Sequence, residues 1–140
     1  MSDRYFVDTN ILIYAYDIDA GSKHEHCKNL IMDLWDGANG VISTQVMQEF
    51  YVNITRKIPE PLSLDRARSL LSLYETWQVE IIEAPLVSFA SVIQERNRLS
   101  FWDALIIATA AQGNVKGLYS EDLNPGQRIE GVEVINPMLP

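Results

Sequence analysis

Four acidic residues, Asp8, Glu49, Asp103 and Asp122, occupy positions that a solvated surface does not explain well. Asp8 follows the apolar run Tyr5-Phe6-Val7 and precedes Thr9-Asn10 and a second apolar run, Ile11 to Tyr16. That order reads as a short buried strand, a polar turn and the first turns of a helix. It puts the Asp8 carboxylate just past the carboxyl end of a strand, where open α/β sheets bind ligands. Asp122 follows the strand-like Leu118-Tyr119-Ser120 in the same way, and adjacent parallel strands would bring both turns to one sheet edge. Glu49 lies in a helical stretch with Val46 and Val52 three residues to either side, at the margin of an apolar stripe. Asp103 shares a helix face with Ile106 and Ile107 in a segment that is otherwise almost wholly apolar.

Each residue taken alone has a plainer use. Asp8 suits a turn or a helix N-cap, Glu49 a solvated helix face, and Asp122 a surface turn, with Glu121 beside it directed to solvent. Asp103 stands third after Ser100, close to a capping box, although Glu or Gln is the preferred partner there. Together they change the argument. Four carboxylates in one cleft would repel by roughly 4 kcal/mol per close pair at an effective dielectric near 20, which folding tolerates only with a cation present. Oxygen ligands without His or Cys suit Mg²⁺, or Mn²⁺ in its place, and such ions bridge to phosphate oxygens. The chemistry that uses this arrangement is metal-assisted phosphodiester hydrolysis by an in-line water.

The elements that must position these residues alternate along the chain. Strands are expected at Tyr5–Val7, Val41–Ile42, Val79–Ile82, Gly117–Ser120 and Val132–Ile135. Between them, Ser22-x-x-Glu25 has capping-box spacing and opens a helix to about Asp36, and Ser43 caps a helix from Thr44 to about Thr55. Ser63 starts a helix from Leu64 to Thr76, Pro85 suits the first turn of one ending near Asn97, and Ser100 caps Phe101 to Gln112. The expectation is an α/β, three-layer sandwich: a five-stranded parallel sheet covered on both faces, in a single domain spanning 1–140.

The bulk numbers bound the function. At 140 residues with 47% hydrophobic content the chain can bury a sizeable core, and no apolar run nears the ~20 residues of a membrane span. The N-terminal residues lack the pattern of a secretory signal, and the single cysteine, Cys27, forms no internal disulfide, so a cytoplasmic setting is expected. The net charge of −8 does not attract nucleic acid as a whole; local Lys and Arg would have to do so.

Val7-Asp8-Thr9-Asn10, Ser43-Thr44-Gln45-Val46-Met47-Gln48-Glu49-Phe50, Ser100-Phe101-Trp102-Asp103-Ala104-Leu105-Ile106 and Tyr119-Ser120-Glu121-Asp122-Leu123 together resemble the motifs of PIN-domain nucleases. Most of these small single-domain proteins are VapC-type toxins of toxin–antitoxin pairs. The resemblance runs from about residue 4 to residue 136, in motif order and spacing. It implies a PIN-like domain and a Mg²⁺-dependent endoribonuclease acting on tRNA or mRNA. A homodimer and inhibition by a cognate antitoxin protein are implied with it. The family's catalytic and metal-binding acids fall on Asp8, Glu49, Asp103 and Asp122, and its supporting polar positions on Thr9, Asn10 and Ser120. Asp8 and Asp103 are the expected principal ligands; Glu49 would bind through water or act as a base, and Asp122 would hold a second ion.

Cleavage by the RNA's own 2′-hydroxyl usually needs an acid–base pair, and the only histidines, His24 and His26, point different ways on one helix. Water is therefore the expected nucleophile, leaving 5′-phosphate and 3′-hydroxyl ends. His24-Glu25-His26-Cys27 lacks the spacing of a zinc site. Arg56 and Lys57 close the Glu49 helix and suit its dipole as well as RNA contact. Arg96 and Arg98 are the candidate phosphate contacts at the cleft rim. Trp102 is expected in the core, its other use being to stack a base. The competing function is a catalytically silent binding module working through the hairpin of residues 44–76, with Tyr51, Tyr74 and Trp77 exposed. An aspartyl phosphatase would need a second Asp two positions after Asp8, where Asn10 stands, and a phosphoacceptor receiver would need paired acids after the first strand.

Overall fold

Phe6 and Val7 are neighbours on one strand, so their side chains point to opposite faces, and both are fully buried; the same holds for Val41 and Ile42. A sheet buried on both faces at its centre must be flanked by helices on both. The computed structural model describes residues 3–139 and shows this arrangement. The strands are β1 (Tyr5–Val7), β2 (Gly40–Ser43), β3 (Gln78–Glu80), β4 (Gly117–Tyr119), β5 (Arg128–Ile129) and β6 (Val132–Ile135). The helices are α1 (Thr9–Tyr14), α2 (Ser22–Gly37), α3 (Thr44–Val52), α4 (Leu64–Tyr74), α5 (Ala84–Asn97) and α6 (Phe101–Gln112).

The strand order is β3-β2-β1-β4-β6-β5. The five expected strands all form and run parallel, with Phe6 opposite both Val41 and Leu118. A sixth, β5, joins β6 as an antiparallel hairpin. Glu130 (φ 50°) and Gly131 (φ 78°) both sit in the left-handed region, as a two-residue turn of this hand demands. The chain lays β2 and β3 on one side of β1 and β4 to β6 on the other. The crevice at that reversal, between the carboxyl ends of β1 and β4, is where such sheets bind ligands.

Several caps form as the sequence indicates: the hydroxyls of Ser43, Ser63 and Ser100 accept from the amides of Val46, Arg66 and Asp103. The Ser22–Glu25 box does not form. Gly21 (φ 64°) is the N-cap of α2, which puts Ser22 one residue inside the helix, where its hydroxyl cannot reach the third amide. Beyond Val52, α3 continues as a π-helical turn, Asn53–Lys57, before Pro59 holds Ile58 extended.

The 44–76 hairpin also differs from its sequence reading. Tyr74 is 1% exposed and sits among Trp35, Trp77, Phe50 and Tyr16, with its hydroxyl 2.7 Å from that of Tyr16. Tyr51 and Trp77 are half-buried against the core. Aromatic rings at helical spacing have closed on one another instead of facing solvent.

β2 runs so close to this cluster that Gly40 has no room for a side chain: a Cβ there would lie 2.6 Å from Cη2 of Trp77. Gly40→Ala should therefore destabilise the fold by about 1–3 kcal/mol in urea unfolding, and the smaller ring of Trp77→Phe should recover part of that loss in the double variant.

Candidate active site: a carboxylate cleft

The turn after β1 distributes its three residues to three different tasks. Asp8 caps α1, and its Oδ1 accepts from the Thr9 amide at 2.7 Å. Because Val7 pairs with Tyr119, Ser120 stands beside it, and the Ser120 hydroxyl donates to Asp8 Oδ2 at 3.0 Å. Thr9 Oγ1 donates to Glu49 Oε1 at 2.7 Å. Asn10 Nδ2 donates to Asp122 Oδ2 at 3.2 Å, across the β1–β4 boundary.

Asp103 arrives from the other side. A helix that precedes a parallel strand runs against it, so the N-terminus of α6 lies at the carboxyl edge of β4. Ser100 accepts the Asp103 amide at 3.1 Å, but among the described residues the Asp103 carboxylate returns no bond to Ser100. Half a capping box forms, and the carboxylate is left to the cleft.

The result is a cleft of about 170 Å³ lined by Asp8, Glu49, Asp103 and Asp122 together. None of its described lining residues is Lys or Arg. Burial pushes the Asp8 carboxyl up to about 6 from 3.8; the Thr9 and Ser120 bonds oppose this, and the Asp122 and Asp103 charges add to it. Glu121, expected in solvent, instead forms an ion pair with Lys23 at 2.7 Å and accepts from Tyr14 at 2.8 Å, and these partners lower its pKa. Its charge is thereby answered outside the cleft.

Four lining residues, Gln45, Asn53, Trp102 and Ile106, lie outside the site expected from the sequence. Gln45, Glu49 and Asn53 recur every four residues and form a polar stripe along α3 and the π-helical turn, the amides flanking the acid. That spacing is visible in the sequence, opposite the apolar stripe that defines the helix. Among the described residues, Gln45 Oε1 is a buried acceptor without a hydrogen-bond partner. Trp102, expected in the core, is 64% exposed and lines the cleft next to Asp103. Arg96 and Arg98 are not among the lining residues; Arg96 pairs with Glu130 at 3.7 Å, and Arg98 is the exposed C-cap of α5. His24 Nδ1 lies 2.9 Å from the Tyr14 carbonyl oxygen, and Cys27 is buried against Met138.

The donor set fits a hard divalent cation. It offers four carboxylates and the side-chain amides of Asn10, Gln45 and Asn53, with no basic side chain among the described lining residues. Among the described residues no three or more His, Cys, Asp or Glu are drawn together as a finished ligand cage.

Residues 5–127 match the family model of the PIN domain. The chain is similar to a solved chain of a toxin–antitoxin complex from Klebsiella pneumoniae, at 25% identity and a TM-score of 0.68, over 95% of this chain and 97% of that one. It shares its fold with Mycobacterium tuberculosis VapC20, a sarcin-ricin loop cleaving toxin, at 21% identity and a TM-score of 0.60, over 84% and 89%. It shares it also with VapBC2 of Rickettsia felis, solved bound to a promoter DNA fragment, at 18% identity and a TM-score of 0.61, over 93% and 96%. A search of curated proteins finds no match. With all the described lining of its cleft and nearly nine-tenths of its length covered by one family model, the chain belongs to the PIN-domain family.

Proposed function

We propose that the protein is a Mg²⁺-dependent endoribonuclease and the toxin of a type II toxin–antitoxin pair, a single PIN-like domain restrained by a protein antitoxin. The observation that carries the nuclease reading is the convergence of four carboxylates on one cleft with no basic residue in its described lining. The toxin reading draws on the Klebsiella neighbour, which comes from a toxin–antitoxin complex, and on VapC20, a sarcin-ricin loop cleaving toxin. A homodimer belongs to the same reading.

When bound, a hard divalent ion supplies charge neutralisation at the phosphate and a water of lowered pKa. Asp8 and Asp103 are the residues that would hold it. Thr9 and Ser120 fix the rotamers of Glu49 and Asp8 before any ligand arrives, so ordering these acids costs nothing at the moment of reaction. Glu49, exposed but tethered by Thr9, would take the proton from the attacking water. Asp122, held by Asn10, would serve a second ion or the leaving side of the phosphate. No histidine lines the cleft among the described residues, so hydrolysis by water is the route, giving 5′-phosphate and 3′-hydroxyl ends.

Purified protein freed of antitoxin should cut a mixed tRNA and mRNA pool with Mg²⁺ and not with chelator. Asp8→Asn and Asp103→Asn should lose more activity than Thr9→Val or Ser120→Ala, for which roughly 10–100-fold is expected. Cyclic 2′,3′-phosphate ends would overturn the water mechanism. Intact RNA with ion-dependent stabilisation would leave a binding module.

The Asp8 shift gives a second test. Below pH 3.8 the carboxyl is protonated in both folded and unfolded chains. Between 3.8 and about 6 only the folded chain keeps the proton, so stability falls as pH rises through that window. Above it the full penalty remains, on the order of 3 kcal/mol. In chelator, the wild-type melting temperature should drop from pH 4 to pH 7 while Asp8→Asn stays flatter and melts higher at pH 7. Mg²⁺ should close the gap by stabilising the wild type alone.

A further inference from the structure

Trp102 is 64% exposed, although an indole gains more from burial than almost any side chain. The other two tryptophans obey that preference: Trp35 and Trp77 pack on each other at 5.2 Å inside the aromatic cluster. The one aromatic partner of Trp102 among the described residues is Phe101, edge-on at 5.3 Å. Its position is equally specific, since it lines the carboxylate cleft between its neighbour Asp103 and Ile106, one helical turn on. The described lining of the cleft thus joins four acids to two apolar side chains, Trp102 and Ile106.

Resting on the nuclease reading above, we propose that Trp102 is the platform on which a base next to the scissile phosphate stacks, and that it carries much of the strand affinity. The protein has a net charge of −8, and no Lys or Arg is among the described lining residues. Phosphate contacts from basic side chains, the usual source of nucleic-acid affinity, are therefore not supplied by the described lining of the cleft itself. Stacking needs no charge, tolerates every base and is little affected by salt. With an ion held by Asp8 and Asp103, one phosphate would sit among the acids and the adjoining base would meet Trp102. A base inside a duplex has both faces covered and cannot make this contact.

The test uses the full-length protein, with Ca²⁺ replacing Mg²⁺ to hold back cleavage, and a pool of unstructured ten-nucleotide RNAs as probe. The pool should quench the Trp102 part of the tryptophan emission, and the same pool annealed to its complement should not. Trp102→Ala should bind on the order of 10-fold more weakly with an unchanged salt slope, Trp102→Phe should keep most of the affinity, and both should melt like the wild type. With Mg²⁺ the loss should fall on KM more than on kcat. Equal affinity in Trp102→Ala, or equal quenching by the duplex, overturns the proposal. So does emission that changes only on adding a protein partner. Cleavage that ignores Trp102 sinks the platform alone, whereas quenching without cleavage sinks the nuclease and keeps the platform.

Discussion

The Asp8 carboxylate is held by two uncharged donors, the Thr9 amide and the Ser120 hydroxyl, in surroundings that desolvate it and set two further acids near it. A lysine or arginine there would stabilise the charge far better and would also fill the cleft. Neutral donors orient the acid without discharging it. The same device recurs at Glu49 through Thr9 and at Asp122 through Asn10. The charges that are neutralised, such as Glu121 by Lys23, lie one residue away from the site. The fold therefore keeps unbalanced negative charge in one place, at the carboxyl edge of its parallel sheet.

The main lines of this arrangement were legible in residue order. Strands such as Phe6-Val7 and Val41-Ile42 announce themselves because burial on both faces requires unbroken apolar runs. Once Asp8 and Asp122 are seen to follow such runs, parallel pairing of β1 and β4 brings them together. β5 escaped notice because two residues carry no period; the strand exists through the conformation of Glu130-Gly131, which a run of polar residues disguises.

Other features depend on geometry that no pattern encodes. Ser22 and Glu25 have the right spacing, but Gly21 takes the capping position and shifts the register by one. Gln45 and Asn53 bear no charge, so they stand out only when Glu49 is known to face a cleft. Trp102 and Tyr74 were each assigned to the wrong side of the surface. Hydrophobicity says that a residue prefers burial, and only the packed neighbours decide whether the fold or a ligand provides it.

The Ser120–Asp8 bond joins residues 112 apart, and Asn10 meets Asp122 over the same interval. β1 is made first, yet its partner β4 and the acids of α6 and the β4 turn come from the last third of the chain. During synthesis the N-terminal segment leaves the ribosome with Asp8 and Glu49 but without the residues that complete the cleft. A chain truncated before residue 117 has one side of its central strand unpaired and no closed cluster of acids. The long-range pairing that makes this fold slow to finish also ensures that the cleft exists only on a completed chain.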